Sequence, residues 1–205
     1  MEIRRVKKHD VDMTSGSVFR HLLNFAVPLL MGNIFQQLYN TVDTWVVGNY
    51  VSNEAFSAVG TVAPIINTLI GAFSGLASGA GVVISQYYGA GKYDRVKDAV
   101  HTAVMMTLVL SVAFTAIGIA MTPNMLRLMK TPVEVFPESR AYLNIYFSGM
   151  AGLMLYNMGA GILRAVGDSK RPFYYLVCAA VINTVLDLVF VIAFGMGVEG
   201  VAYAT

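Results

Sequence analysis

The sequence is short of charged residues. Only 13% of its 205 residues are Asp, Glu, Lys or Arg, whereas a soluble globular domain carries about a quarter. Hydrophobic residues make up 56%, and the mean hydropathy is +0.61. This composition excludes an ordinary soluble domain and predicts an integral membrane protein.

The sequence also has little cysteine, and it contains no complete motif of a nucleotide-binding enzyme. Cys178 is the single cysteine, so no disulfide can form within the chain. The segment GAGKY at 89–93 lacks the spacing and the Ser or Thr of a phosphate-binding loop, and GAG at 79–81 is followed by Ile84 where a dinucleotide fingerprint needs glycine. A net charge of +2 does not indicate a nucleic-acid partner. We therefore predict no enzyme, no organic cofactor and no nucleic-acid binding.

Long apolar segments alternate with short polar ones. Segments long enough to span a bilayer, which takes about 20 residues, lie at 20–48, 56–85, 97–121, 141–165 and 173–195, and a sixth begins near Glu199. The predicted fold class is an all-α integral membrane protein, a polytopic bundle of five complete transmembrane helices plus the start of a sixth.

Basic residues are unevenly distributed among the connections. Eleven of the fourteen Lys and Arg lie before or at the start of the first span, or in the second and fourth connections and the span ends that border them. Cytoplasmic loops carry the excess of Lys and Arg. We expect a multi-pass protein of the cell (plasma or inner) membrane with a cytoplasmic amino-terminal tail, residues 1–19, and external connections at 51–53, 122–139 and 195–198.

The sixth apolar segment stops at Thr205, soon after it starts. An unfinished helix would leave backbone groups without partners in lipid. We therefore expect residues 20–205 to be an amino-terminal transmembrane lobe, truncated in helix 6, of a longer chain.

Two carboxyl groups lie deep in apolar segments. Asp43 falls in the first span and Asp187 in the fifth, where Asn183 precedes it by one helical turn. Counting ~1.5 Å per residue puts both carboxyls on the order of 10 Å from the outer helix ends, and Thr205 reaches a similar layer. Intramembrane carboxyls are costly and usually functional. We predict a coupling-ion site that holds H⁺ or, with Asn183 and Thr205 as further ligands, Na⁺; the alternative is an interfacial Asp43 and a packing Asp187.

Other features of the spans have two interpretations each. Gln36, Tyr39, Asn40 and Asn67 either line a polar cavity or bond between helices. Pro28 is either a hinge or a static kink. Glycines four apart, at Gly71, Gly75 and Gly79, indicate either close helix packing or surfaces that slide past each other. Depth counting places Asn157 nearer the cytoplasmic side than the aspartates.

Five motifs together resemble one transporter family. They are AVPLLMGNIFQQLYNTVDTWVVGNY in the first span, SQYYGAGKYDRV after the second, GILRAVGDSKRPFYY after the fourth, NTVLDLVFV in the fifth and GVEGVAYAT at the start of the sixth. From about Gly16 onward the chain resembles the amino-terminal half of a multidrug and toxic compound extrusion (MATE) transporter.

The resemblance implies a twelve-helix protein of two six-helix lobes related by a pseudo-twofold axis, with a central cavity. It implies exchange of an organic, often cationic, compound for H⁺ or Na⁺, with the carboxy-terminal lobe and membrane lipid as partners. Its cation site falls on Asp43, Asn183, Asp187 and Thr205, with Asn157 in the surrounding network, and its helix 1 proline on Pro28.

Two rival functions remain open. A lipid-linked oligosaccharide or polysaccharide flippase of the same superfamily would be expected to line its cavity with basic residues, and no Lys or Arg falls in the middle of a span. A non-transporting helical membrane subunit would use the aspartates only for packing.

Overall fold

The computed structural model describes residues 17–205, and this part of the chain forms α-helices and no strand. Residues 1–16, most of the predicted tail, lie outside the described residues. The helices are α1 Val18–Tyr50, α2 Asn53–Gly89, α3 Tyr93–Leu128, α4 Phe136–Ser148, α5 Met150–Ala165, α6 Lys170–Leu188 and α7 Gly197–Ala204. The all-α fold is confirmed. Among the described helices α2, α3 and α6 with its extension are long and apolar enough to cross a membrane by length and composition.

The link between α1 and α2 is very short. Ser52 has extended backbone angles, and its side chain accepts a hydrogen bond from the backbone N–H of Ala55 at 3.0 Å. This is the usual geometry of a helix N-cap, which satisfies a donor that the first turn leaves free. The cap fixes the antiparallel start of α2 and defines one end of the bundle, called here the Ser52 end.

The fourth apolar segment differs from its predicted span of 141–165. It begins earlier, at Phe136, and is divided into α4 and α5 at Gly149. The Thr115 hydroxyl of α3 donates to the Phe147 carbonyl at 2.9 Å. Because this carbonyl accepts a hydrogen bond from another helix, it does not need the regular backbone hydrogen bond within its own helix. The helix can therefore be interrupted at this point.

The fifth span ends in an unusual turn. A π-helical segment, Val189–Ala193, follows the end of α6 at Leu188, two residues after Asp187. Gly195 and Gly197 then take positive φ angles of 65° and 60°, which glycine adopts without steric cost. Because π-helical turns are frequent at functional sites, the position of this one beside Asp187 is notable.

The buried core lies around α4. Large enclosed side chains there include Leu143 and Phe147 of α4, Leu126 of α3 and Met150 of α5. A Cβ added at Gly118 of α3 would collide with the Phe147 ring, so no larger residue fits there without a shift. α4 contacts α2, α3 and α7, while α1 runs along α6.

The doubled glycine motif of α2 is not a packing surface within this bundle. A Cβ added at Gly71, Gly75 or Gly79 would meet no atom within 4 Å. Close packing of α2 instead occurs on another face, where a Cβ on Gly161 of α5 would lie 3.0 Å from the Ala77 carbonyl oxygen. The helix-packing interpretation of the motif is therefore wrong for the described residues.

Candidate cation site

Three polar side chains from α1 and α6 are almost completely buried together. Asp187 is 0% exposed, Asp43 6% and Asn183 7%. The packing of α1 along α6 brings Asp43 and Asp187 within hydrogen-bonding reach of each other. The Thr205 hydroxyl donates to the Val201 carbonyl at 3.0 Å and also lies within reach of Asp43.

Most polar atoms of this cluster have no hydrogen-bond partner among the described residues. Both Asp187 oxygens, Asp43 Oδ1 and both polar atoms of the Asn183 amide have no hydrogen-bond partner there. Two carboxylates in contact cannot both stay ionised away from water, because their repulsion adds to the cost of desolvation. A proton shared by the two carboxyls, or a bound cation, removes both costs, and the pair then titrates as a unit.

The oxygen-rich composition of the cluster limits its ligands. Carboxylate, amide and hydroxyl oxygens suit hard cations rather than the softer metals that cysteine and histidine bind. In the part of the chain that the structure describes, no three His, Cys, Asp or Glu side chains group as a metal cluster. The donor set fits H⁺ or Na⁺.

A tyrosine from α4 belongs to the same cluster, and sequence reasoning missed it. Tyr142 is 4% exposed, lies close to Asp43 and Asp187, and has its hydroxyl within hydrogen-bonding reach of Thr205. Its ring stacks on Tyr146, with centroids 6.5 Å apart and planes 13° from parallel. The signal that could have found it is the spacing of Tyr142 and Tyr146, four residues apart in the fourth apolar segment, which puts both on one helical face.

The predicted cavity-lining residues separate into two groups. Gln36 and Tyr39 are half-buried, hydrogen-bond each other, and follow the face of α1 that carries Asp43, which lies close to Tyr39. Asn40 and Asn67 are exposed. Asn40 lines a surface groove of about 510 Å³ with Trp45 and Phe56 among its walls.

The two remaining predicted residues lie away from the cluster. Asn157 accepts a hydrogen bond from the Ser74 hydroxyl at 3.3 Å and donates to the Leu153 carbonyl at 2.9 Å, and neither partner belongs to the cluster. Pro28 lies inside α1, which continues through it as one helix. The roles of Asn157 in ion binding and of Pro28 as a hinge stay predictions.

Comparison with known proteins identifies the family. A family model described as MatE matches residues 28–189. The chain is 38% identical over 193 residues to the probable multidrug resistance protein YoeA of Bacillus subtilis (strain 168), covering 92% of this chain and 42% of YoeA. It is 34% identical over 194 residues to the probable multidrug resistance protein YpnP of the same organism, covering 95% and 44%.

A solved structure gives the same result. The outward-facing conformation of a multidrug resistance MATE family transporter of the MOP superfamily superposes with a TM-score of 0.86 at 28% identity, over 93% of this chain and 42% of that chain. The chain thus spans less than half the length of the relatives it matches. Members of this family are transporters rather than enzymes, and the chain belongs to the MatE family.

Proposed function

We propose that this chain is the amino-terminal lobe of a secondary active efflux antiporter, which exports organic, often cationic, compounds in exchange for H⁺ or Na⁺. The observation that carries the proposal is the buried contact between Asp43 and Asp187 with no other donor to either Asp187 oxygen. Intramembrane carboxyls in a transporter commonly serve ion or proton binding. The similarity to multidrug resistance proteins supports the substrate class.

The proposed topology follows the basic residues. Residues 1–19 form a cytoplasmic tail and residues 20–205 the lobe, which makes the Ser52 end the outer end. Excess Lys and Arg in the connections at the opposite end supports this orientation. A cell-membrane location and a carboxy-terminal lobe, which would complete the length of the relatives, belong to the same proposal.

The proposed mechanism couples cation binding to the packing of α1 against α6. With a proton or Na⁺ bound, the two carboxyls no longer repel each other, and α1 stays packed against α6. When the cation leaves, the buried negative charges repel, and α1 shifts away from α6, with Pro28 as the proposed bending point. The two packings must differ in affinity for the cation and for the drug, because only a difference in affinity can shift the equilibrium between them.

Asn183 and Thr205 are proposed to distinguish the ion. Na⁺ binding needs several oxygen ligands. The side-chain amide oxygen of Asn183 and the hydroxyl oxygen of Thr205 supply two ligands in addition to the carboxylates. A shared proton needs only the two carboxyls. We therefore expect Asn183→Ala to weaken Na⁺-driven transport strongly and H⁺-driven transport weakly.

Transport in vesicles tests the function. The complete transporter, reconstituted with a preloaded cationic dye, is expected to release the dye when an inward H⁺ or Na⁺ gradient is imposed, and Asp43→Asn is expected to abolish release. Asp94→Asn, an exposed carboxyl in the first turn of α3, is the matched control and should transport normally. Normal transport by both Asp43→Asn and Asp187→Asn would show that the pair does not couple transport.

A further inference from the structure

The Thr205 hydroxyl presents an acceptor, and not a donor, to the aspartate pair. A hydroxyl group has one hydrogen and two lone pairs. The hydrogen of Thr205 is donated to the Val201 carbonyl at 3.0 Å, so the oxygen within reach of Asp43 offers lone pairs to the carboxyls. Lone pairs that face a carboxylate are repelled unless a cation or an acidic proton lies between them. Thr205 therefore helps the site only while its oxygen is held at the right distance from that cation.

The helix that carries Thr205 begins in the turn that follows Asp187. The backbone N–H of Met196 donates to the Phe190 carbonyl at 3.0 Å, which closes this turn. α7 then runs back along the π-helical segment and contacts it. One end of α7 is thus fixed to residues next to Asp187, and the other end carries Thr205 to Asp43.

Gly200 lies at a close approach between α7 and the π-helical segment. It is buried, and a Cβ added there would lie 3.0 Å from the Cβ of Phe190, 3.1 Å from the Cβ of Met196 and 3.3 Å from the carbonyl carbon of Phe190. Carbon atoms in contact are normally about 3.5 to 4.0 Å apart. Because Cβ and backbone atoms cannot move away by a change of rotamer, a methyl group at position 200 requires α7 itself to shift.

The rest of α7 limits how far it can shift. Val198, Val201 and Ala202 are 6%, 0% and 5% exposed and belong to the main hydrophobic core. A tightly packed core resists displacement, so we expect α7 to stay folded and to tilt by a few tenths of an ångström. Thr205 lies about 8 Å beyond Gly200 along the helix axis, so the tilt moves the Thr205 oxygen relative to Asp43.

We propose that Gly200 is a positioning residue, which holds the Thr205 oxygen at the aspartate pair and thereby favours Na⁺ over H⁺ at that site. The proposal rests on the proposed function, because it concerns the selectivity of the same coupling site. A shared proton needs only the two carboxyls, whereas Na⁺ needs further oxygen ligands. A displaced Thr205 therefore weakens Na⁺ binding and leaves proton binding largely intact.

Dye efflux from proteoliposomes of the complete transporter tests this role in two series. Outside Na⁺ is titrated at fixed pH in one, and outside H⁺ is titrated without Na⁺ in the other. Gly200→Ala should raise the Na⁺ concentration for half-maximal efflux by roughly 2- to 13-fold, the range expected for loss of one hydrogen-bond-sized contact. The H⁺ titration should be unchanged.

Two further variants separate positioning from a general effect on the fold. Gly152→Ala in α5 is the matched control, because Gly152 is also a helical glycine but a Cβ added there would meet no atom within 4 Å. Both of its titrations should match the wild type. Thr205→Val should raise the Na⁺ requirement by itself, and Gly200→Ala should then add no further shift, because residues that act through one contact are not additive.

Thermal midpoints of all variants report folding. An unchanged Na⁺ titration in Gly200→Ala, an equal shift in the Na⁺ and H⁺ series, full additivity with Thr205→Val, or an unfolded Gly200→Ala would each overturn the positioning role. If H⁺ but not Na⁺ drives efflux by the wild type, the positioning role fails and the proposed function stands. If neither cation drives efflux, the proposed function itself fails.

Discussion

Two aspartates of the same chain occupy opposite environments. Asp168, in the turn between α5 and α6, accepts hydrogen bonds from the backbone N–H groups of Lys170 and Arg171 at 3.2 and 3.1 Å. It also pairs with the Arg171 guanidinium at 3.1 Å. Asp187, at the other end of α6, is 0% exposed and receives no bond from the described residues apart from its contact with Asp43.

The difference separates a structural carboxylate from a candidate functional one. Asp168 satisfies free donors at the start of α6 and thereby stabilises the turn. Asp187 adds a desolvated charge that the fold does not compensate, which destabilises the folded state unless a cation is present. Substitutions at the two positions should therefore have opposite consequences for stability and for transport.

The largest effect is expected at Asp187. Asp187→Asn should eliminate cation-driven efflux, because the amide cannot share a proton or carry the charge that holds Na⁺. The thermal midpoint of the lobe should stay equal or rise, since a buried charge is removed. Dye efflux from reconstituted vesicles and thermal unfolding of the detergent-solubilised protein measure the two quantities. A folded variant with normal efflux would show that Asp187, like Asp168, is not needed for transport.

A smaller effect is expected at Tyr142. Tyr142→Phe keeps the ring that stacks on Tyr146 and removes only the hydroxyl, which lies within hydrogen-bonding reach of Thr205. Loss of one hydrogen bond is worth about 0.5 to 1.5 kcal/mol, so half-maximal efflux should need roughly 2- to 13-fold more cation. Titration of H⁺ and Na⁺ in the efflux assay checks this, and loss of all efflux would show that Tyr142 does more than orient Thr205.

Asp168 should respond in the opposite sense to Asp187. Asp168→Ala removes the acceptor of two backbone N–H groups and should lower the free energy of unfolding by about 1 kcal/mol. The cation titration of the variant should match that of the wild type. Urea or thermal unfolding measures the first quantity, and a shifted cation titration would contradict the structural role.

The smallest effect is expected at Arg171, whose side chain is 49% exposed. Ion pairs this open to solvent contribute about 0 to 1 kcal/mol. Arg171→Gln should therefore leave both unfolding and efflux nearly unchanged while Asp168 keeps its backbone donors. A loss of stability as large as that of Asp168→Ala would show that the ion pair, and not the backbone bonds, holds the turn.

Local sequence signals predict the helices because hydropathy is sufficient to locate apolar segments of spanning length. Depth counting also puts Asp43 and Asp187 in one layer, where the structure places them in contact. The division of the fourth span at Gly149 cannot be predicted this way. It depends on a hydroxyl from α3, Thr115, which is distant in sequence.

The same limit applies to side-chain neighbours. Which face of a glycine-rich helix is packed depends on its partner helices. The motif at Gly71 to Gly79 indicates close packing as one of its two interpretations, but the close approach falls at Ala77 and Gly161. Tyr142 was missed because an aromatic residue in an apolar segment carries no unusual cost that draws attention, unlike a carboxyl. Its role becomes apparent only when α4 is packed against α7, which brings Tyr142 close to Thr205 and to Asp43.

The central claim is that Asp43 and Asp187 hold one cation between them. Infrared difference spectroscopy of the detergent-solubilised protein tests this claim most directly, because it records the carboxyl stretching band. Spectra are compared between alkaline and acidic buffer, and with and without Na⁺. We predict one buried protonated carboxyl, or a Na⁺-sensitive carboxylate band, that disappears in both Asp43→Asn and Asp187→Asn and persists in Asp168→Asn. A band that persists in both pair variants, or a wild type with neither signal, would contradict the claim.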